Sequence, residues 1–367
     1  MMLSHEDSLR LHVMLKTVQA IRIDENNLVV YGLAPDAREA KVALNPNCRT
    51  EQYLRRVREF LSGAVLGSPA GYPVHLHRWT RMGQLQDANL PELLMLGEPE
   101  AITAVSGAPS LDDELARRVW WAAPTSDHAR RMLERAAVVQ GQMGALLAQH
   151  LVEHLPFESE PRVIIDTVRL VLQPGLLADE AVARLWDKGA KHSAYRVGFL
   201  LARPLNLPLT CPAHVSPHAT VLAELAAIGN PIAAALAAAY TAEGQAFLQT
   251  VRAVLERPTQ ADAVALTLNA LGECFAGARR GTMQARDTTT LLAQAQHMLG
   301  EAKVCEVQVR TRLSAALLGL LACAHTSEML IVDVLAHTSA TGTVLRKKLE
   351  PITQVVLAQL QALGGDV

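Results

Sequence analysis

Between Pro91 and Pro204 the apolar residues recur with helical spacing, and Pro or Gly cuts that spacing at short, near-regular intervals. A long helix cannot survive such interruptions, and the period is wrong for strands. The stretch has to become a series of short amphipathic helices, each too short to bury its own apolar face. Such units become stable by stacking on their neighbours.

The segment from Ser110 to Trp121 shows the pattern. Ser110 stands where an N-cap belongs, with Asp113 three residues on, which predicts a capping box. Leu111, Leu115 and Val119 share one face, while Asp112, Glu114, Arg117 and Arg118 fill the other. Pro124 ends the segment, and Thr125, Ser126 and Asp127 offer the next cap. Met132, Leu133, Ala136 and Ala137 then predict an apolar stripe that stops at Gly141 and Gly144. Further segments close at Pro156, at Gln173-Pro174-Gly175, at Gly189 and at Pro204. Asp179 and Ser193 are candidate caps for the last two. The stretches Leu115–Trp120 and Val182–Trp186 look alike once a gap is allowed. Both an irregular helical-repeat stack and an ordinary bundle therefore stay open.

The flanking regions read differently. Residues 4–19 predict a helix with Leu9, Val13 and Leu15 among its apolar positions. The period then drops to two: Ile21 and Ile23 alternate with Arg22 and Asp24, and Glu25-Asn26-Asn27 is turn chemistry. Leu28 to Leu33, broken at Gly32, and Lys41 to Leu44 complete an expected small antiparallel sheet, which needs helices to pack on. Arg49 to Ser62 predicts a helix burying Tyr53, Leu54, Val57 and Leu61. Past Pro204 the chain is Pro-rich to Pro217, then Ala-rich and helical, with breaks at Gly229-Asn230-Pro231, Pro258, Gly277 to Gly281 and Thr338 to Gly342. The expected fold class is mainly α: an irregular helical-repeat-like stack or bundle with a small N-terminal antiparallel β element. Four regions follow: an α+β region at 1–90, the helical stack at 91–204, a Pro-rich linker at 205–217 and a helical bundle at 218–367.

Half the chain is apolar but only 4% is aromatic, so Ala and Leu have to supply most of the packing, a balance that favours helix. A net charge of −2 gives no broad attraction to polyanions or acidic membranes. The five cysteines (48, 211, 274, 305 and 323) are an odd number, widely spaced, and suit a reducing compartment. The charged start (His5, Glu6, Asp7, Arg10) is unlike a secretory signal. The apolar run from Leu313 to Ala324 falls short of the roughly 20 residues that cross a bilayer. A soluble cytoplasmic protein without membrane insertion is expected.

Several constellations could carry chemistry. His150, Glu153 and His154 form an HxxEH sequence, in which two histidines one turn apart can hold zinc and the glutamate can activate water. Pro156 ends that helix at once, and no third ligand presents itself. Cys211, His214 and His218 have spacing that could contribute to a metal site, and His75 and His77 would point the same way on a strand. Residues 45–85 carry six arginines (49, 55, 56, 58, 78 and 81) against two glutamates, interleaved with Tyr53, Tyr72 and Trp79. That mixture suits a solvated helix face, a protein contact centred on Arg78, Trp79 and Arg81, or RNA. Trp120-Trp121 reads as an anchor of the stack. Gly63, Gly67 and Gly71 lack the Gly-Lys-Ser/Thr of a P-loop, and no dinucleotide fingerprint, nucleophile elbow or kinase signature is found. No catalytic, cofactor-binding or metal-binding residue is assigned, and no cofactor is expected.

Seven segments also carry a resemblance: EDSLRLHVML, AIRIDENNLVVYGL, LNPNCRTEQYLRRVREFLSGAVLGSPAGYPVHLHRWTRMGQ, LLMLGEPEA, ELARRVWWAAP, ARRMLERAAVVQGQMG and VRLVLQPGLL. Together they resemble the sulfur reduction protein DsrS family, over roughly residues 4 to 204. The resemblance implies a soluble cytoplasmic accessory protein of the dissimilatory sulfite reductase system in sulfur-oxidising bacteria. It implies no catalytic residue. Cys48, just before Arg49, is the one thiol whose setting could suit a persulfide carrier, against an ordinary structural role. The reading that follows is a non-enzymatic accessory protein with protein partners in sulfur oxidation; the alternatives are a zinc-dependent hydrolase built on His150, Glu153 and His154, or an RNA-binding regulator.

Overall fold

A computed structural model describes residues 3–67, 89–279, 285–336 and 340–364. It is mainly α with one small antiparallel sheet, as the periodicities predict. The chain divides into two compact units. The first is Met1–Pro156 with Pro174–Leu176, and the second is Phe157–Gln173 with Leu177–Val367. The division therefore falls after Pro156, and residues 205–217 lie inside the second unit.

The first unit opens with α1 (His5–Leu15), capped by Ser4, whose hydroxyl accepts from Asp7 N. Strands β1 (Ala20–Asp24), β2 (Val29–Leu33) and β3 (Glu39–Ala43) follow in the order β1-β2-β3, with Arg22 opposite Tyr31 and Tyr31 opposite Lys41. Asp24 closes the first turn by accepting from the backbone and the side-chain amide of Asn27 (3.0 and 2.8 Å). Gly32 does not break β2. It is a close-approach position, where a Cβ would lie 2.6 Å from Val18 Cγ1.

Helix α1 stops at Leu15, short of the predicted 19, because the chain must extend into β1. Its buried face is Asp7, Leu11 and Met14; Leu9 and Val13 face outward. Apolar residues lie on both sides of this helix, and the inner side is fixed by Asp7, which takes the Tyr53 hydroxyl and Asn45 N. Helix α2 (Thr50–Leu66) buries Tyr53, Leu54, Val57 and Leu61 against Leu11, Met14, Ile21, Val30, Val42 and Leu44, and ends at Gly67 in the left-handed region.

Short helices complete the unit: α3 (Leu90–Leu93), α4 (Pro99–Ser106), α5 (Asp113–Ala122), α6 (Ser126–Leu133), α7 (Ala136–Val139) and α8 (Gln142–His154). The cap of α5 is Asp112, which accepts from Leu115 N (2.7 Å), so the predicted box from Ser110 to Asp113 does not form. Asp113 instead reaches the start of α8, accepting from Gln142 N and Met143 N (3.0 and 2.9 Å). Gly141 makes room for it: a Cβ there would sit 2.1 Å from Asp113 Oδ1. Leu111, Leu115 and Val119 are buried as their spacing predicts. Met132 and Leu133 are buried too, but Ala136 and Ala137 are exposed: the helix breaks at Glu134-Arg135, and a separate short helix begins at Ala136.

The second unit comprises α9 (Pro161–Val171), α10 (Asp179–Lys188), α11 (Ser193–Ala202), α12 (Ala219–Ala227), α13 (Pro231–Tyr240), α14 (Ala242–Glu256), α15 (Ala261–Cys274), α16 (Thr288–Met298), α17 (Ala302–Thr311), α18 (Ser314–Ala324), α19 (Met329–Leu335) and α20 (Gly342–Leu363). Asp179 and Ser193 are first helical residues rather than caps; the preceding Ala178 and His192 occupy the cap positions. Small residues let these helices approach closely. A Cβ on Gly198 of α11 would lie 2.5 Å from Val168 Cβ of α9, and one on Gly319 of α18 would lie 2.7 Å from the Gln359 carbonyl of α20. Asn230 caps α13 through its Oδ1, and its Nδ2 donates to the Lys303 carbonyl and to Glu306 (both 2.9 Å). Among the described residues no helix is long and apolar enough to cross a membrane. The bent pair α18 and α19, the nearest approach, contributes Leu317, Leu320, Leu321 and Ile331 to the core of this unit.

Candidate functional site

The HxxEH sequence lies at the C-terminal end of α8, and packing decides what its rings do. His150 Nε2 lies 3.3 Å from Ser126 Oγ at the start of α6, and the ring meets the edge of Trp120 at 4.8 Å. His154 stacks on His150, with centroids 3.9 Å apart, and its Nδ1 donates to the His150 carbonyl (2.9 Å). A carbonyl can only accept, so that nitrogen carries the proton. Glu153 accepts from Gln149 (3.0 Å) on its own helix. Stacked rings whose nitrogens serve a hydroxyl and a carbonyl do not converge on one point in space, which is what a zinc ion requires. Among the described residues no group of three His, Cys, Asp or Glu could hold a metal ion.

Burial pushes the His150 pKa down, the charge of His154 pushes it the same way, and Glu153 opposes both. A neutral imidazole beside a hydroxyl is the first half of a nucleophile–base pair. The second half is a group that orients the base. No carboxylate hydrogen-bonds the His150 ring among the described residues. The cluster instead packs α5, α6 and α8 together.

The Cys211, His214 and His218 group is likewise dispersed over structural partners. Cys211 Sγ donates to Gln249 Oε1 (2.7 Å), and burial raises its pKa. The His214 backbone donates to the Tyr240 carbonyl (2.9 Å) and its ring tilts against Tyr240 at 4.5 Å. His218 takes the N-cap position of α12. These contacts strap the Pro-rich residues onto α13 and α14.

The arginine-rich region is divided between described and masked positions. Arg78, Trp79 and Arg81, with His75, His77 and Tyr72, lie outside the described residues. Of the others, Arg55 pairs with Glu59 (3.0 Å), and Arg58 pairs with Glu25 and with Glu98 (3.3 Å). Arg56 donates to Cys48 Sγ (3.3 Å). Tyr53 is fully buried and bonded to Asp7, so it offers no stacking face, and burial together with that bond raises its pKa.

Trp121 is tied to the sheet by a cluster that no sequence motif marks. The Arg22 guanidinium lies 4.8 Å from the centroid of Tyr31 and 5.0 Å from that of Trp121. Glu39 accepts from Arg22 (3.0 Å) and from Trp121 Nε1 (2.7 Å). The available signal was cross-strand: Arg22 and Tyr31 share one face in the hairpin register. His128 likewise belongs to no sequence motif. It is buried, donates through Nδ1 to the Ala123 carbonyl (2.9 Å) and meets Thr103 Oγ1 through Nε2 (3.1 Å), joining α6 to α4. In the second unit the Arg196 guanidinium lies 3.4 Å over the Trp186 ring, and burial lowers its pKa against the pull of Asp187. Burial pushes the Cys274 thiol up to about 12 and raises Cys323 as well, which leaves both far from the thiolate form that reacts.

No family model matches this chain, and neither the curated proteins nor the solved structures searched include a match.

Proposed function

We propose that this chain is a non-enzymatic accessory protein that supports dissimilatory sulfur oxidation through contacts with other proteins. The observation that carries the non-enzymatic reading is the engagement of its chemistry-bearing side chains. His128, His150, Cys211 and Trp121 each hold one element against another, and His154 is engaged with His150 on its own helix. Short stacked helices offer broad outer surfaces for partners. The link to sulfur oxidation comes from the resemblance of residues 4 to 204 to the DsrS family. A cytoplasmic location and protein partners within the sulfite reductase system belong to the same proposal. Affinity capture of the tagged full chain from a sulfur-oxidising host growing on sulfur tests it. Recovery of sulfite reductase subunits, or of proteins that act with them, is expected. Recovery of none of them under conditions that keep the sulfite reductase complex intact would overturn it.

A further inference from the structure

The outward face of α1 has a pattern of its own. Leu9 and Val13 are 64% and 59% exposed, directly opposite the buried Leu11 and Met14. Glu6 and Lys16, both exposed, continue their stripe at either end. The steps from 6 to 9 to 13 to 16 are three, four and three, the seam by which one helix meets another. Single exposed apolar residues are ordinary on a protein surface. Here the apolar pair is bracketed by charges of opposite sign, acid at the helix start and base at its end.

That bracket restricts what fits. An α1 helix from a second molecule, laid antiparallel about a two-fold axis level with Leu11, sets Leu9 against Val13 and Val13 against Leu9. The same axis sets Glu6 against Lys16 and Lys16 against Glu6. The stripe is thus complementary to itself in apolar contact and in charge, and antiparallel helix dipoles favour the arrangement. Arg10, beside the seam, already pairs with Glu6 of its own helix. We infer that a second copy of this chain docks on α1 in this register, forming a two-fold homodimer. A helix of 11 residues covers less than the roughly 800 Å² per partner of a stable interface, so the dimer is weak and reversible. Self-association of this kind stands apart from the role in sulfur oxidation.

Sedimentation velocity of the full chain over a concentration series tests the register. The unaltered protein is expected to shift from monomer to dimer. Leu9→Glu or Val13→Glu raises the dissociation constant about 100-fold, because each places two charges in the seam. Glu6→Lys or Lys16→Glu alone raises it about tenfold, since each change acts twice about the axis. Both charge reversals in one chain restore it to within about threefold of the original. Circular dichroism reads whether helicity is retained. Should one substitution disturb the fold, its opposite number in the same contact reports on that contact. A protein monomeric at about 0.5 mM, a dimer indifferent to Leu9→Glu and Val13→Glu, or a double reversal as weak as the single ones would overturn the inference.

Discussion

In the first unit polar clasps fix helices to one another and to the sheet: Tyr53 on Asp7, Arg22 and Trp121 on Glu39, His128 on Thr103, Asp113 on the start of α8. In the second, Asn230 is such a clasp too, but backbone also approaches side chain and backbone across small residues, at Gly198 against Val168 and at Gly319 against Gln359, and Ala and Leu fill most of the core. The difference teaches where each unit is vulnerable. A clasp tolerates modest changes of volume and fails when one polar partner is removed, leaving the other buried without its bond. Close packing has few polar partners to lose and fails when volume is added.

The largest effect should come from adding volume in the second unit. Gly198→Leu drives a side chain into Val168 and is expected to cost about 3 kcal/mol or more, read by chemical denaturation; stability close to that of the unaltered protein would break the comparison. Two matched substitutions sharpen it. Tyr53→Phe removes the donor to buried Asp7 and should cost about 1–3 kcal/mol. Tyr240→Phe removes a hydroxyl with no hydrogen-bond partner among the described residues and should cost less than about 1 kcal/mol. Equal losses at the two sites would argue against polar clasps as the distinguishing feature.

The smallest effect concerns acid. Hydrogen bonding from Arg117, with Arg118 assisting and burial opposing, pulls Glu114 from its usual 4.5 to about 2. A lowered carboxylate pKa contributes stability that is present above the unfolded value and lost as pH falls through the folded one. The pairs are partly exposed and solvent-screened, so less than about 1 kcal/mol is at stake. Stability should decline between pH 4.5 and about 2, and Glu114→Gln should flatten that decline. An unchanged profile in the variant would place the acid sensitivity elsewhere.

Much of the fold was legible because local chemistry and tertiary structure agree. The alternation of Ile21 and Ile23 with charged neighbours marked β1, the stripe of Leu111, Leu115 and Val119 marked α5, and Gly229-Asn230-Pro231 marked the break before α13. What was not legible depended on partners remote in sequence. Ser110 with Asp113 looked like a capping box, but the backbone of α8 competes for Asp113 and wins. Leu9 and Val13 counted among the apolar positions of α1, but either apolar face could have turned inward; buried Asp7, paired to Tyr53 across the chain, settled which one did. The HxxEH spacing was visible, but the direction of the rings was not, since Trp120 and Ser126 set it from neighbouring helices. Arg22 and Trp121 gave no local hint of meeting. Their contact exists only once α5 lies on the sheet.

Among the described residues, His128, His150 and Cys211 serve the architecture of this protein. Titrating the purified full chain with zinc, alongside His150→Ala, tests it most directly. The structure predicts no stoichiometric zinc binding that depends on His150, and the same weak titration in both proteins. One tightly bound zinc per chain, lost in His150→Ala, would contradict it.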